Sequence, residues 1–200
     1  MADWERETVL WQSGRILVGG CDEVGRGPLA GPVVAAIAVF DSPCLDNLAD
    51  SKELSPKRRL ELSRAILGRA AAVGIGLADN ETIDSVNILN ATKLAMGQAW
   101  RNLRLKPDYL LVDALEPEVL AAQVPLEGII KGDSLSAAIA AASIVAKVYR
   151  DRLMAWYHLA YPQYNFLHNK GYPTREHFLA LRRYGVTPLH RLSFRGVVNE

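Results

Sequence analysis

Residues 19–40 read GGCDEVGRGPLAGPVVAAIAVF, in which two apolar runs flank a pair of acids and a glycine-rich turn. The runs, residues 16–21 and 33–40, are short, rich in valine and isoleucine, and bounded by glycines, a pattern that predicts buried strands rather than helices. Asp22 and Glu23 lie where the first strand is expected to end. Buried carboxylates are costly without a positive partner, so the pattern predicts either a salt bridge or a bound divalent cation here.

The rest of the chain predicts interleaved strands and helices. Ser55 followed by Pro56 is typical of a helix start, because serine caps the first turn and proline fits the first helical position. Thr174 is expected to cap a later helix. Further strands are predicted at residues 71–78, 109–112 and 128–131, and helices at residues 56–70, 82–103 with a break near Asn87, 134–157 and 175–184. This order indicates an α/β sheet flanked by helices, with a small helical C-terminal appendage.

Acids follow three of the predicted strands: Asp22 and Glu23 the first, Asp113 the fourth, and Asp133 the fifth. Strands of one sheet that end on the same side bring such side chains within a few ångströms of one another. Mg²⁺ or Mn²⁺ would relieve the repulsion, because these cations prefer oxygen ligands. Neighbours in a regular strand face opposite ways, so Asp22 and Glu23 share one site only if the strand ends or distorts there.

Each acid also has a purely structural interpretation. Asp133 precedes the longest predicted helix and could cap it. Asp113 could open a turn, and Asp22 and Glu23 could pair with Arg26. On spacing alone, both interpretations stay open.

The composition is that of one soluble domain. The chain has 200 residues and is 50% hydrophobic, enough to bury a core. No segment reaches about 18 uncharged apolar residues, and the N-terminus lacks the features of a signal peptide, which predicts an intracellular protein without a membrane span. Two cysteines, Cys21 and Cys44, form neither a disulfide framework nor a zinc site, and Cys21 is expected in the core.

The net charge is +1 but is unevenly spread. Residues 151–200 carry seven lysines and arginines against three acids, residues 1–150 carry sixteen against nineteen, and all four histidines lie in the last fifty residues. An acidic part beside a basic part suits a metal site that acts on a phosphate polymer. An uneven spread of solvated charge explains the same numbers equally well.

Taken together, the motifs carry a family resemblance. The chain resembles bacterial ribonuclease HII, the type 2 ribonuclease H, over residues 16–197, in the segments DEVGRGPLAGPVVAA, DSKELSPKRR, LLVDAL, KGDSLSAAIAAASIVAKVYRD, FLHNKGYPTREH and HRLSF. The resemblance implies a ribonuclease H-like mixed sheet flanked by helices. It also implies a single catalytic domain, residues 1–200, with a core at about 16–153 and a C-terminal substrate-binding part at 154–198.

The same resemblance implies an activity and a metal site. Family members cleave RNA in RNA–DNA hybrids, cut 5′ to single ribonucleotides in duplex DNA, and leave 3′-hydroxyl and 5′-phosphate ends. Asp22, Glu23, Asp113 and Asp133 correspond to the four catalytic carboxylates, which hold Mg²⁺ or Mn²⁺. We expect two cations per site, with Asp22 between them and Asp133 on the side of the attacking water.

Substrate contacts are implied at Gly25, Arg26 and Gly27, at Lys52 and at Tyr172. A protein that distinguishes RNA from DNA must contact the 2′-hydroxyl, and glycines let the backbone approach a sugar closely. Tyr172 is expected to pack on the sugar at an RNA–DNA junction, and Lys52 to contact a phosphate. From the residues alone, the loop is a tight turn, Tyr172 a half-buried loop aromatic, and Lys52 a solvated charge.

Two other functions fit part of the pattern. A metal-dependent DNA nuclease of the same fold would also cut DNA that lacks ribonucleotides. A nucleic-acid-binding module whose acids only form salt bridges would bind without metal. We expect the enzyme to be a cytoplasmic monomer that acts on RNA–DNA hybrids and ribonucleotide-containing DNA.

Overall fold

A computed structural model of the chain describes residues 2–45, 48, 51 and 54–198. The strands in this part are β1 (Val18–Val24), β2 (Val33–Phe40), β3 (Ala72–Ala78), β4 (Tyr109–Asp113) and β5 (Leu126–Ile129). The helices are α1 (Glu5–Gln12), α2 (Pro56–Arg69), α3 (Asn80–Asn102), α4 (Glu118–Ala121), α5 (Ala137–Ala160), α6 (Phe166–Asn169) and α7 (Arg175–Tyr184). Two 3-10 turns cover Gly132–Ser134 and Pro162–Tyr164.

The strands form one mixed sheet in the order β3-β2-β1-β4-β5. Strand β2 is antiparallel to both β1 and β3, whereas β4 is parallel to β1 and β5 is parallel to β4. The last paired residues of β1 and β4 are Cys21 and Val112. Asp22 and Asp113 follow this pair, so they lie side by side where the two strands separate. The predicted mixed sheet flanked by helices is confirmed.

Helices cover both faces of the sheet. Along β2, Val33 and every second residue after it pack in the core that α3 covers, and the alternate residues from Val34 pack in the core under α2 and α5. All eight residues of β2 are therefore buried, as expected for a strand in a sheet with helices on both sides. Cys21 is fully buried, as predicted. No helix in the described part of the chain is long and apolar enough to span a membrane.

Several local predictions are confirmed. Ser55 caps α2 by accepting a hydrogen bond from the Arg58 amide, and Thr174 caps α7 in the same way. Helix α3 is interrupted at Asn87, which adopts a φ of 68°. That break is where the sequence predicts it.

Other boundaries differ from the predictions. Strand β1 does not end before the acids but stays paired with β2 through Val24. Strand β5 lies two residues earlier than predicted. Helix α5 begins at Ala137 rather than at residue 134, because Ser136 is its cap and accepts a hydrogen bond from the Ile139 amide at 3.1 Å.

Helix α1 was not predicted from the sequence. Its Glu7 is fully buried and accepts hydrogen bonds from the Ser136 hydroxyl at 2.5 Å and from the Ala138 amide at 2.9 Å. Helix α1 has only a weak apolar face and buries a charged residue, Glu7, so the hydrophobic pattern of the sequence does not predict it. The contacts attach the N-terminus to the first turn of α5.

The C-terminal part has its own small core, in which Leu29 and Ala30 of the β1–β2 connection pack with Met154, Tyr164 and Phe166. The C-terminal segment therefore packs directly on the connection that follows the acids. Helix α5 runs from the sheet into this core without interruption.

Candidate active site

Three carboxylates converge beside the sheet. Oxygen atoms of Asp22, Asp113 and Asp133 lie within 4.8 Å of one another, and Asp22 and Asp133 are buried. Asp22 comes from β1, Asp113 ends β4, and Asp133 lies in the 3-10 turn after β5. The parallel pairing of these three strands brings their acids together, as the sequence pattern predicts.

Hydrogen bonds hold the Asp22 carboxylate in place. The Glu23 amide donates to its Oδ1 at 2.7 Å, and the Ser143 hydroxyl also bonds to it. Ser143 Oγ is 3.0 Å from Ser51 Oγ, and both serines are buried. Either hydroxyl can be the donor of that second bond. The two serines thus form a chain that supports the carboxylate from α5.

The other two acids are linked through the turn after β5. The Gly132 amide donates to Asp113 Oδ1 at 2.7 Å, which fixes the turn that carries Asp133 against the end of β4. Since Ser136 caps α5, the alternative role of Asp133 as the cap of that helix is wrong.

Glu23 is placed differently from the other acids. It remains in the regular part of β1, opposite Ala35, and its oxygens lie outside the 4.8 Å group. Its Oε1 accepts a hydrogen bond from Arg26 at 3.1 Å, and its Oε2 is buried without a hydrogen-bond partner. An orphaned carboxylate oxygen at this depth is costly, so it marks a place where a cation fits.

The electrostatics match this geometry. Burial raises the pKa of Asp22 well above its ordinary value, and the neighbouring charges of Glu23 and Asp113 raise it further. Burial also raises the pKa of Glu23, although its contact with Arg26 opposes the increase. The metal-free site therefore favours bound protons, which a divalent cation would displace.

Gly25 and Gly27 differ in what the fold demands of them. Gly25 has a φ of +94°, and a Cβ atom there would lie 2.2 Å from Arg150 Nε, so the fold itself requires glycine. A Cβ atom at Gly27 would have Tyr172 Cε1, at 3.8 Å, as its nearest neighbour. Gly27 is exposed and the Tyr172 ring is partly exposed beside it. The structure thus brings together two of the predicted substrate contacts, and packing does not explain why residue 27 is glycine.

The remaining predicted contacts are less informative. Arg26 is exposed and pairs with Glu23, which is the structural interpretation raised for it above. Lys52 lies outside the described residues. Sequence reasoning missed Ser51 and Ser143, although Ser51 lies in the quoted DSKELSPKRR segment next to Lys52. A serine within an otherwise alanine-rich buried helix was the available signal for Ser143.

Clustered carboxylates beside a mixed sheet of this topology are typical of metal-dependent nucleases of the ribonuclease H-like class. The family model for ribonuclease HII matches residues 19–197. The chain is 54% identical over 192 residues to ribonuclease HII of Lactobacillus gasseri, covering 94% of this chain and 74% of that protein. It is 51% identical over 195 residues to that of Desulfitobacterium hafniense, covering 97% and 74%. The chain belongs to the ribonuclease HII family, metal-dependent endoribonucleases that cleave the RNA of RNA–DNA hybrids and remove ribonucleotides from DNA.

Solved structures agree with this assignment. Ribonuclease H2 from Pyrococcus horikoshii OT3 superposes with a TM-score of 0.75 at 28% identity, covering 90% of this chain and 95% of that one. Bst-RNase HIII in complex with Mn²⁺ superposes with a TM-score of 0.67 at 20% identity, covering 94% and 70%. The second likeness concerns the fold alone.

Proposed function

We propose that Asp22, Glu23, Asp113 and Asp133 hold two divalent cations, Mg²⁺ or Mn²⁺. With them the chain hydrolyses the strand 5′ to a ribonucleotide and leaves 3′-hydroxyl and 5′-phosphate ends. The observation that carries this proposal is the convergence of three carboxylates within 4.8 Å in a buried setting. Bst-RNase HIII, which shares the fold, binds Mn²⁺ in its solved complex.

The donor set supports the choice of metal. Carboxylate oxygens are the ligands that Mg²⁺ and Mn²⁺ prefer, and the orphaned Oε2 of Glu23 provides a further one beside the group. When bound, two such cations supply an activated water and stabilise the leaving oxygen of an in-line displacement.

The protein's own residues would orient the site. Ser143 and the Glu23 amide hold the Asp22 carboxylate in one rotamer, and the Gly132 amide does the same for Asp113. Such outer contacts fix ligands before substrate arrives, so little reorganisation remains for the chemical step.

We propose that Gly25, Arg26 and Gly27 read the 2′-hydroxyl through their backbone, with Tyr172 packed on the sugar. The support is local: Gly27 is the open position of the loop, and it faces the partly exposed ring of Tyr172. A sugar can approach the backbone there because no side chain fills the space.

We also propose the wider arrangement implied by the sequence. The 1–200 chain acts as one catalytic domain, with residues 154–198 serving as the substrate-binding part of a core at about 16–153. The continuous α5 and the shared core around Leu29 and Met154 support treating these parts as one unit. A monomeric state and a cytoplasmic location are part of the same proposal.

The direct test is incubation with a DNA duplex that contains one ribonucleotide, in Mg²⁺, Mn²⁺ or EDTA. We expect a single cut 5′ to the ribonucleotide in the presence of metal, while an all-DNA duplex of the same sequence stays intact. Equal cutting of plain DNA, or undiminished activity in EDTA, contradicts the proposal.

A substitution at Gly27 tests whether the loop of residues 25–27 contacts the 2′-hydroxyl. A methyl group at Gly27 would meet only Tyr172 Cε1, at the ordinary contact distance of 3.8 Å, so we expect Gly27→Ala to leave the melting temperature unchanged. Cleavage at single ribonucleotides should fall about 10- to 100-fold, the cost of displacing a substrate by about 1 Å. Gly68→Ala is the control, since a Cβ atom at that exposed position of α2 meets nothing within 4 Å and lies far from the loop in sequence. Equal activity of the two variants would show that the loop does not contact the sugar.

A further inference from the structure

Two buried arginines donate to carbonyls of the loop of residues 25–32: Arg150 contacts Ala30 and Pro32, and Arg191 contacts the glycine turn at the start of the loop. Arg191 Nη2 donates to the carbonyl of Gly25 at 2.6 Å, and its Nη1 donates to the carbonyl of Arg26 at 2.9 Å. Its Nε and Nη2 also donate to the carbonyl of Gly31, at 3.0 and 2.8 Å. Arg191 is fully buried, and the planar guanidinium therefore fixes both ends of the loop at once.

These bonds determine where the loop amides point. In a trans peptide the carbonyl of one residue and the N–H of the next point in opposite directions. With the carbonyls of Gly25 and Arg26 directed at Arg191, the N–H groups of Arg26 and Gly27 are directed away from it. Both residues are exposed, so this direction leads to the surface.

Within the described part of the chain, these two amides have no protein acceptor, unlike others in the loop. The Leu29 amide donates to the Gly171 carbonyl and the Gly31 amide donates to the Leu189 carbonyl, both at 2.8 Å. The loop therefore presents two adjacent donors beside Tyr172, at the position where Gly27 leaves space.

The charge of Arg191 favours the same role. Burial lowers the pKa of Arg191 to about 9, and at that value the guanidinium stays protonated at neutral pH. A cation bonded to the carbonyl of a peptide polarises it and makes the N–H on its other side a stronger donor.

We propose that Arg191 is a positioning residue for ribonucleotide recognition, which holds the amides of Arg26 and Gly27 ready to donate to the ribose or its adjoining phosphate. This inference rests on the proposed reading of ribose by the same loop. Arg191 itself does not touch the substrate. It acts by fixing the peptides that do.

The test compares Arg191→Lys and Arg191→Gln with the unmodified chain. The first measurement is the ratio of dissociation constants for an all-DNA duplex and the same duplex with one ribonucleotide, in EDTA. The second is the cleavage rate on the latter duplex with Mg²⁺. We expect Arg191→Gln to lower the ratio about tenfold, as for one lost hydrogen bond. Arg191→Lys, which keeps the charge and can reach some of the carbonyls, should recover part of this loss.

Ile66→Ala is the control for stability, because Ile66 is fully buried on α2 in the core under the sheet. It should lower the melting temperature without changing the binding ratio. If the Arg191 variants melt earlier but keep the ratio of the unmodified chain, Arg191 only supports the fold and the inference is overturned.

The Gly27→Ala variant separates this inference from the proposed function. Loss of discrimination in Gly27→Ala but not in the Arg191 variants overturns the positioning role alone. If neither Gly27→Ala nor the Arg191 variants lose discrimination, both the proposed recognition of ribose by this loop and the inference about Arg191 are overturned. If both Arg191 variants fail to fold, amide spectra of the unmodified chain decide. The Arg26 and Gly27 amide protons should shift with the ribonucleotide duplex only, and the Arg191 Nε–H should resist exchange, whereas a rapidly exchanging Nε–H overturns the inference.

Discussion

Asp22→Asn removes one charge from the carboxylate group while keeping an oxygen that can accept from the Glu23 amide and Ser143. At 4.8 Å, the limit of the group, two full charges repel by about 3 kcal/mol at an effective dielectric constant of about 20. Protonation already relieves part of this repulsion. We therefore expect the metal-free variant to gain about 1–2 kcal/mol in the free energy of unfolding, which raises the melting temperature by about 2–8 °C.

The pH dependence has a definite sign. The folded state raises the pKa of Asp22, so it binds a proton that the unfolded chain releases. The free energy of unfolding of the metal-free protein should therefore fall as pH rises above the ordinary aspartate pKa of 3.8. Asp22→Asn removes this contribution, so the stability of the variant relative to the unmodified protein should increase as pH rises above that value.

The assay is thermal or denaturant unfolding in EDTA, repeated with added Mg²⁺ or Mn²⁺. The unmodified protein should gain stability from the metal, whereas Asp22→Asn should gain little and be inactive. Asp151→Asn is the control and should lower the free energy of unfolding, because that acid pairs with Lys147 at 2.6 Å and with Arg59 at 3.2 Å. If Asp22→Asn lost more than about 1 kcal/mol in EDTA, the carboxylate would be structural and the reasoning would be wrong.

Three further outcomes follow. Asp133→Asn should abolish cleavage with an unchanged melting temperature, since Ser136 rather than Asp133 caps α5; a lower melting temperature would indicate a structural role. Tyr172→Ala should lose most activity on single-ribonucleotide duplexes, because the ring is partly exposed and a stacked aromatic contributes roughly 1–3 kcal/mol. Tyr172→Phe should lose less, and both variants should lose less on uniform hybrids. Equal losses on both substrates with a lower melting temperature would show that the ring only packs. Neutralising the exposed Arg182 and Arg183 should weaken binding of every duplex alike and flatten its salt dependence, measured as dissociation constants against salt; an effect confined to ribonucleotide substrates would contradict it.

The parts of the fold that the sequence predicts are those governed by local signals. Apolar runs between glycines predict β1 and β2, and side-chain caps at Ser55 and Thr174 predict the helix starts. The convergence of Asp22 and Asp113 follows from parallel pairing, which places strand ends at one edge. Each of these inferences needs only short-range chemistry and the period of a strand.

The orientation of Glu23 depends instead on how far β1 pairs with β2. Strand β1 stays paired with β2 at Asp22, Glu23 and Val24, which keeps the strand regular, and neighbouring side chains then face opposite ways. Residue order does not decide whether a strand continues past a pair of acids into a glycine turn. The structure keeps Glu23 beside Arg26, with one orphaned oxygen near the acids, so its role as a metal ligand stays a prediction.

Charge counting shows the limit of sequence reasoning most clearly. Arg191 adds to the basic excess of the last fifty residues, yet it is fully buried and all its described hydrogen bonds go to backbone carbonyls. Arg150 behaves in the same way, donating to the carbonyls of Ala30, Pro32 and Lys170. A buried arginine without a carboxylate is tolerated only where a curved backbone supplies several acceptors, and loop shape is a tertiary property. The basic surface available to nucleic acid is correspondingly smaller than the count implies, and part of the charge serves to shape the loop that meets the substrate.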